Sequence, residues 1–174
     1  ATPDRDRLVS VLALRSNERT LLVGFGGIPL TSLPLEHMEQ LRDYRFLFDG
    51  PVPPRYSHIH STQTLPFSFR TLLASVDVIM TKPGYGTIVE AVMLQQPVIY
   101  VRRYNFVDEQ PLVDFLHHHG CGIELSIDDF TRGQWQPAIG KAVAMLSSAT
   151  TPPPSTGAMQ AASILPPYLN RIGA

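Results

Sequence analysis

Cysteine is almost absent: Cys121 stands alone among 174 residues, which excludes an internal disulfide framework and a cysteine-based structural zinc cluster. Net charge is nearly absent too. Lysine and arginine total 14 against 15 aspartates and glutamates, leaving -1, so the electrostatic footprint of a nucleic-acid binder is missing. No apolar run approaches the roughly 20 residues that span a bilayer. The opening residues, ATPDRDRL, lack the basic-then-apolar pattern of a signal peptide and read as a processed end or a cut from a longer chain. What remains is 44% hydrophobic residues over a length that suits one domain with a sizeable core. A soluble, cytoplasmic globular domain without nucleic-acid partners is expected.

Along the chain, short apolar runs alternate with turns and helical stretches. Residues 20–27 are β-rich and end in glycines. Residues 33–43 place Leu35, Met38 and Leu41 at helical spacing. Residues 45–48 form a second strand stopped by Asp49-Gly50-Pro51, and 57–62 a weaker third, on which His58 and His60 point outward. A brief helix over 69–76 leads to a buried strand at 77–81, a helix at 86–95 and a strand at 97–101. A helix over 109–119 ends at Gly120 as a C′ glycine, and a strand at 121–125 comes next. Ser126 or Asp128 caps the segment after that strand, and 134–147 reads as a longer amphipathic helix. This alternation predicts an α/β protein: a doubly wound, Rossmann-like parallel sheet between two helical layers. Residues 1–149 form that domain. Residues 150–174, opening with the linker-like TTPPPST, form a tail with a last helical segment at 157–165.

In open parallel sheets, ligands bind beyond the carboxyl ends of the strands. Two loops there carry chemistry. Gly24-Phe25-Gly26-Gly27 lets the backbone approach a ligand, although it serves equally as a tight turn. Thr81-Lys82-Pro83-Gly84-Tyr85-Gly86-Thr87 joins a buried strand to a helix and presents free N–H groups at the positive end of a dipole, which suits a phosphate. Thr87 can cap that helix and donate its hydroxyl. Glu90, one turn in, suits a pair of vicinal hydroxyls, or simply favours the dipole.

Residues 77–110, DVIMTKPGYGTIVEAVMLQQPVIYVRRYNFVDEQ, resemble the donor-nucleotide signature of glycosyltransferases with the two-domain B fold (GT-B), including the family 28 type. The likeness rests on the Gly84 to Thr87 turn, Glu90-Ala91, Pro97 and Asp108-Glu109-Gln110, and extends from about residue 20 to 146. A finer resemblance is to the glycosyltransferase-like segment of arabinokinase-type proteins, through Gly84 to Thr87, Val101-Arg102-Arg103 and Phe106-Val107-Asp108-Glu109. The resemblance implies one half of a GT-B fold, its C-terminal donor domain, binding a nucleotide sugar, UDP-linked and hexose-type, with no cofactor and no metal. It implies that Gly26 and Gly27 approach the diphosphate or sugar, and that Gly84, Gly86 and Thr87 bind the diphosphate. Glu90 would hold the ribose, Leu65 and Phe67 would flank the base, and Arg103 would neutralise phosphate. Asp108, Glu109 and Gln110 would read the sugar hydroxyls.

The sequence departs from that pattern at Lys82-Pro83, where many members carry a histidine and glycines; Pro83 removes an N–H and Lys82 offers a charge instead. The resemblance implies that the acceptor site and usual catalytic base belong to an N-terminal domain not contained in these residues, so the catalytic residues are unassigned. The tail packs on the domain or crosses to that missing partner, through which any membrane association would run. Alone, the chain is expected to bind without turning over. Rival readings are a non-catalytic nucleotide-sugar sensor fused to a kinase, half of a nucleotide-sugar epimerase, and a domain with a decayed site. His117-His118-His119 are not read as a metal site, because consecutive helical side chains diverge by about 100°. Cys121 reads as a small residue entering a strand, and Trp135 as packing beside the last core helix.

Overall fold

The computed structural model describes residues 2–26, 33–104, 107–146 and 151–165. Strands β1 (Arg19–Gly24), β2 (Tyr44–Phe48), β3 (Ile59–Ser61), β4 (Val78–Thr81), β5 (Val98–Tyr100) and β6 (Gly122–Glu124) form one parallel sheet in the order β3-β2-β1-β4-β5-β6. The helices are α1 (Arg5–Leu12), α2 (Leu35–Gln40), α3 (Phe69–Ser75), α4 (Tyr85–Met93), α5 (Glu109–His119), α6 (Ile127–Arg132), α7 (Gln136–Met145) and α8 (Gly157–Ile164). The expected α/β architecture is therefore present.

Because strand side chains alternate faces, the four inner strands β2, β1, β4 and β5 feed two cores. Leu21, Val23, Phe46, Phe48, Val78 and Met80 face Met38 of α2, Phe130 of α6 and Ile139 of α7. Leu22, Leu47, Ile79 and Val98 face Leu8 of α1, Leu72 of α3, Ile88 of α4 and Leu116 of α5. Burial on both faces explains why the centres of these four strands, at 21–23, 46–48, 78–80 and 98–100, are continuously apolar. Trp135, 1% exposed, stacks on Phe130 with ring centroids 5.3 Å apart and donates its indole N–H to the Phe130 carbonyl at 2.9 Å. It is buried more fully than packing beside a helix required.

Several local expectations change. Helix α1 has no apolar stripe that announces it in the sequence, because only Leu8 and Leu12 of its eight residues are buried. It is fastened instead by polar contacts: Arg5 donates to Asp77 Oδ2 at 2.8 Å and to Thr20 Oγ1 at 2.6 Å, while Asp77 also accepts from the Thr20 N–H at 2.7 Å. Helix α2 is shorter than the 33–43 pattern. Ser126 does cap α6, accepting from the Asp129 N–H. Gly120 has an extended φ of -143° and not the left-handed conformation of a C′ glycine. Its reason is space, since a Cβ would meet Val92 Cγ2 at 3.0 Å and the Leu116 carbonyl at 3.2 Å. His60, expected outward, is half-buried on β3, and burial lowers its pKa from 6.5. In the tail, none of the residues of α8 is buried.

Candidate functional site

The chain runs outward from β1 to β2 and β3, then returns to place β4 on the other side of β1. The order of connection reverses there, and the loops leaving β1 and β4 diverge to open a crevice at the carboxyl ends. A cleft of about 220 Å³ occupies that position, lined by Gly24, Phe25 and Gly26 from the β1 loop, Thr81, Lys82 and Gly84 from the β4 loop, Thr87 of α4, Phe69 of α3 and Asp49 after β2.

The two loops are tied together. Thr81 Oγ1 donates to the Gly24 carbonyl at 2.7 Å, and Lys82 Nζ donates to the Gly26 carbonyl at 2.9 Å. Gly26 has φ +49°, which favours glycine. The lysine places a cation at the cleft, and its ammonium has three donors. Across the β4 loop, Arg103 Nη2 donates to the Pro83 carbonyl at 3.1 Å, so the loops after three strands adjacent in the sheet, β1, β4 and β5, form one connected rim.

Helix α4 starts at Tyr85, with Gly84 as N-cap and no side-chain cap. The capping role expected of Thr87 is therefore corrected: the helix begins two residues earlier, and Thr87 lies inside its first turn. The first intrahelical bond runs from the Ile88 N–H to the Gly84 carbonyl. The amides of Tyr85, Gly86 and Thr87 have no acceptor among the described residues. Gly86 is exposed, and a Cβ on it would meet nothing within 4 Å. The protein's own packing thus supplies no reason for glycine there.

The remaining expected residues are more dispersed. Glu90 pairs with Arg70 of α3, Oε1 to Nη2, at 2.5 Å. Leu65 and Phe67 pack on the α1/α3 side of the core. Phe67 lies under the Arg7 guanidinium at 5.1 Å and borders a separate 310 Å³ hollow beside α1, outside the cleft. Gly27 lies outside the described residues.

The 108–110 triplet splits three ways. Glu109 is 1% exposed and accepts the backbone N–H groups of Arg103 and Tyr104, each at 2.9 Å. Burial pushes its carboxyl up, but these donors and the Arg102 and Arg103 guanidiniums outweigh it and hold the group below 4.5. Its oxygens are thereby engaged in shaping the loop after β5. Gln110, exposed, accepts from Arg102 Nη2 at 2.8 Å and donates to Asp114 at 2.7 Å. Asp108 borders a larger, mostly apolar groove of about 760 Å³, with Tyr85, Phe115 and residues of the 153–160 segment.

Asp49, Phe69 and Arg70 were not singled out from sequence. The signal for Asp49 is positional: an acidic residue directly after a strand whose carboxyl end faces the same rim. Among the described residues no cluster of three His, Cys, Asp or Glu side chains is arranged to hold a metal, and no helix is long and apolar enough to cross a membrane. His117 instead bonds Tyr100, Nε2 to hydroxyl at 2.8 Å.

No family model matches this chain. An L-arabinokinase of Arabidopsis thaliana is 28% identical over 140 residues, which cover 77% of this chain and 13% of that protein. The structure of the glycotransferase of kitacinnamycin superposes with a TM-score of 0.57 at 17% identity, over 78% of this chain and 37% of that one. By fold, this chain matches part of a glycosyltransferase. A UDP-N-acetylglucosamine 2-epimerase shares the fold as well, with a TM-score of 0.53 at 12% identity over 93% of this chain and 46% of the epimerase. The match spans less than half of each of these solved chains, which fits the C-terminal domain of a GT-B fold. The L-arabinokinase match joins it as similarity to one segment of a much longer protein.

Proposed function

We propose that this chain binds the nucleoside diphosphate part of a nucleotide-sugar donor, as the C-terminal half of a transferase that moves a hexose-type sugar from a UDP-linked donor. The observation that carries the reading is the first turn of α4. Gly84 and Thr87 of that turn line a cleft at the switch point of the sheet together with Lys82, and the amides of Tyr85, Gly86 and Thr87 have no acceptor among the described residues, with a bare, exposed glycine between them. Such a helix start favours an anion, and a glycine without an internal reason leaves room for one.

In this reading Gly84, Gly86 and Thr87 bind the diphosphate, with Lys82 and Gly26 at the same cleft; Gly27, outside the described residues, is assigned to the diphosphate or sugar by the resemblance alone. Glu90, steadied through one oxygen by Arg70, retains the other for ribose hydroxyls. Leu65 and Phe67 shape the chain that leads into α3 and so set the base-proximal wall. Arg103 positions the β4 loop through the Pro83 carbonyl, and Glu109 positions the β5 loop. Asp108 and Gln110 stand where a donor sugar would lie. As the anomeric bond breaks, charge grows on the departing diphosphate, and preoriented amides stabilise it most at that moment. The acceptor and its base would come from a second domain, whose closure excludes water.

Calorimetric titration with UDP, GDP and dTDP and their hexose conjugates tests the proposal. Saturable binding that is lost in the Thr87→Ala, Glu90→Ala double variant supports it, and no binding at millimolar concentration overturns it for this chain. The likeness to an L-arabinokinase favours a second reading, a nucleotide-sugar-sensing module attached to a kinase. Glycosyl transfer by the intact protein would decide against that reading.

A further inference from the structure

One residue on the rim has an unusual conformation that the proposed donor site does not use. Tyr104 comes after β5 with φ +59°, a left-handed backbone that a bulky residue seldom keeps unless its surroundings impose it. The impositions are visible. Its N–H donates to the buried Glu109 at 2.9 Å, its hydroxyl donates to Glu124 Oε1 at 2.8 Å, and the Arg102 guanidinium lies 4.8 Å from its ring centroid. Glu124 is steadied in turn by the Tyr100 hydroxyl at 3.4 Å. With all of these contacts, the residue is still 73% exposed. The hydroxyl and the backbone N–H are fastened and Arg102 lies over one face of the ring, while the residue as a whole stays largely exposed. Fastening the loop explains the backbone bond but gives no use for an open aromatic face.

We infer that Tyr104 is a stacking platform for the sugar ring of the ligand. The inference rests on the nucleotide-sugar reading above and adds the residue that discriminates the sugar-bearing ligand from the bare diphosphate. Its position suits that role. Arg103, the preceding residue, bonds the carbonyl of Pro83 beside the α4 helix start. Glu124 ends β6, two strands from β4, or about 10 Å across the sheet. A diphosphate seated at α4 and carrying one pyranose covers that span. A pyranose presents a face of C–H groups that packs on an aromatic ring, while its hydroxyls meet polar groups at the edge. Arg102 lies over one face of the ring and bonds Gln110, so the sugar takes the opposite face and these two polar groups border it. A ring held in advance provides contact area at little cost in conformational entropy.

The test compares wild type, Tyr104→Ala and Tyr104→Phe as full chains, titrated with whichever of UDP, GDP and dTDP binds and with its glucose conjugate. Tyr104→Ala is expected to lose on the order of tenfold in affinity for the conjugate and to bind the bare diphosphate as wild type does. Tyr104→Phe, which keeps the ring, is expected to retain most of the conjugate affinity. Equal losses for both ligands would show that Tyr104 only fastens the loop, and unchanged affinity for the conjugate would equally overturn the platform. Wild type binding none of the diphosphates would instead overturn the donor-site reading, and the platform with it.

Discussion

Replacing Gly86 by alanine should move stability and binding in opposite directions. Gly86 is the second residue of α4; it is not among the positive-φ glycines, and a Cβ there meets nothing within 4 Å. Glycine in a helix is worse than alanine by about 0.5–1 kcal/mol, chiefly because its unfolded state is more disordered. A first-turn site takes the lower end, so Gly86→Ala should stabilise by about 0.5 kcal/mol. For a chain of this size that raises Tm by roughly 1–2 °C. A methyl group over the amides of Tyr85, Gly86 and Thr87 would push a diphosphate oxygen out of hydrogen-bond reach. Losing one bond to a charged group costs about 1.5–3 kcal/mol, so affinity for the diphosphate should fall at least about tenfold. Differential scanning calorimetry reads the first quantity and isothermal titration the second. Affinity unchanged in Gly86→Ala would refute the placement of the anion. A fall in Tm would refute the argument that the glycine has no internal packing role.

Lys82→Met should lower diphosphate affinity about tenfold with little change in Tm, since it removes the cation at the cleft and one loop tie; titration beside wild type checks it. Asp77→Ala should destabilise by about 3 kcal/mol in urea unfolding, because it strips the partner from Arg5 and Thr20 in a nearly buried network. Asp77 precedes β4 at the end of the sheet away from the cleft, so diphosphate affinity should stay unchanged. Glu109 titrates below 4.5 when folded; a depressed carboxyl contributes stability that is present above about 4.5 and lost as pH falls through the folded value. Thermal melts between pH 3 and 7 should show that acid loss, and Glu109→Gln should flatten it. The lone tryptophan, Trp135, is buried in the α6/α7 core, so its emission should shift to the red in one step with unfolding.

Element types were legible wherever burial obeys a simple period. Strands β1, β4 and β5, apolar on both faces, and helices α4 and α5, with one inward stripe, fall where the pattern of apolar residues puts them. Helix α1 was not legible, because its hold on the domain is a long-range bond from Arg5 to Asp77 and Thr20, and no local pattern announces that. Gly120 departs from the expected C′ conformation for a similar reason: its neighbour Val92 comes from another helix. At the site, Gly84, Gly86 and Thr87 were legible as a phosphate-type turn, since a glycine-rich strand-to-helix junction has the same dipole and free amides in any such sheet.

The amino-acid order alone determined the alternation of strands and helices, and hence a parallel sheet covered on both faces, because hydrophobic burial acts on local periodicity. Tertiary structure decided the rest. It set the order β3-β2-β1-β4-β5-β6, which makes a cleft between β1 and β4 from loops 57 residues apart in sequence. It turned Glu109 inward onto two backbone amides, set Phe67 outside the cleft, and lifted Tyr104 into solvent. Each of those outcomes depends on which partner a side chain meets across the sheet, and that partner is chosen only when the strands have packed.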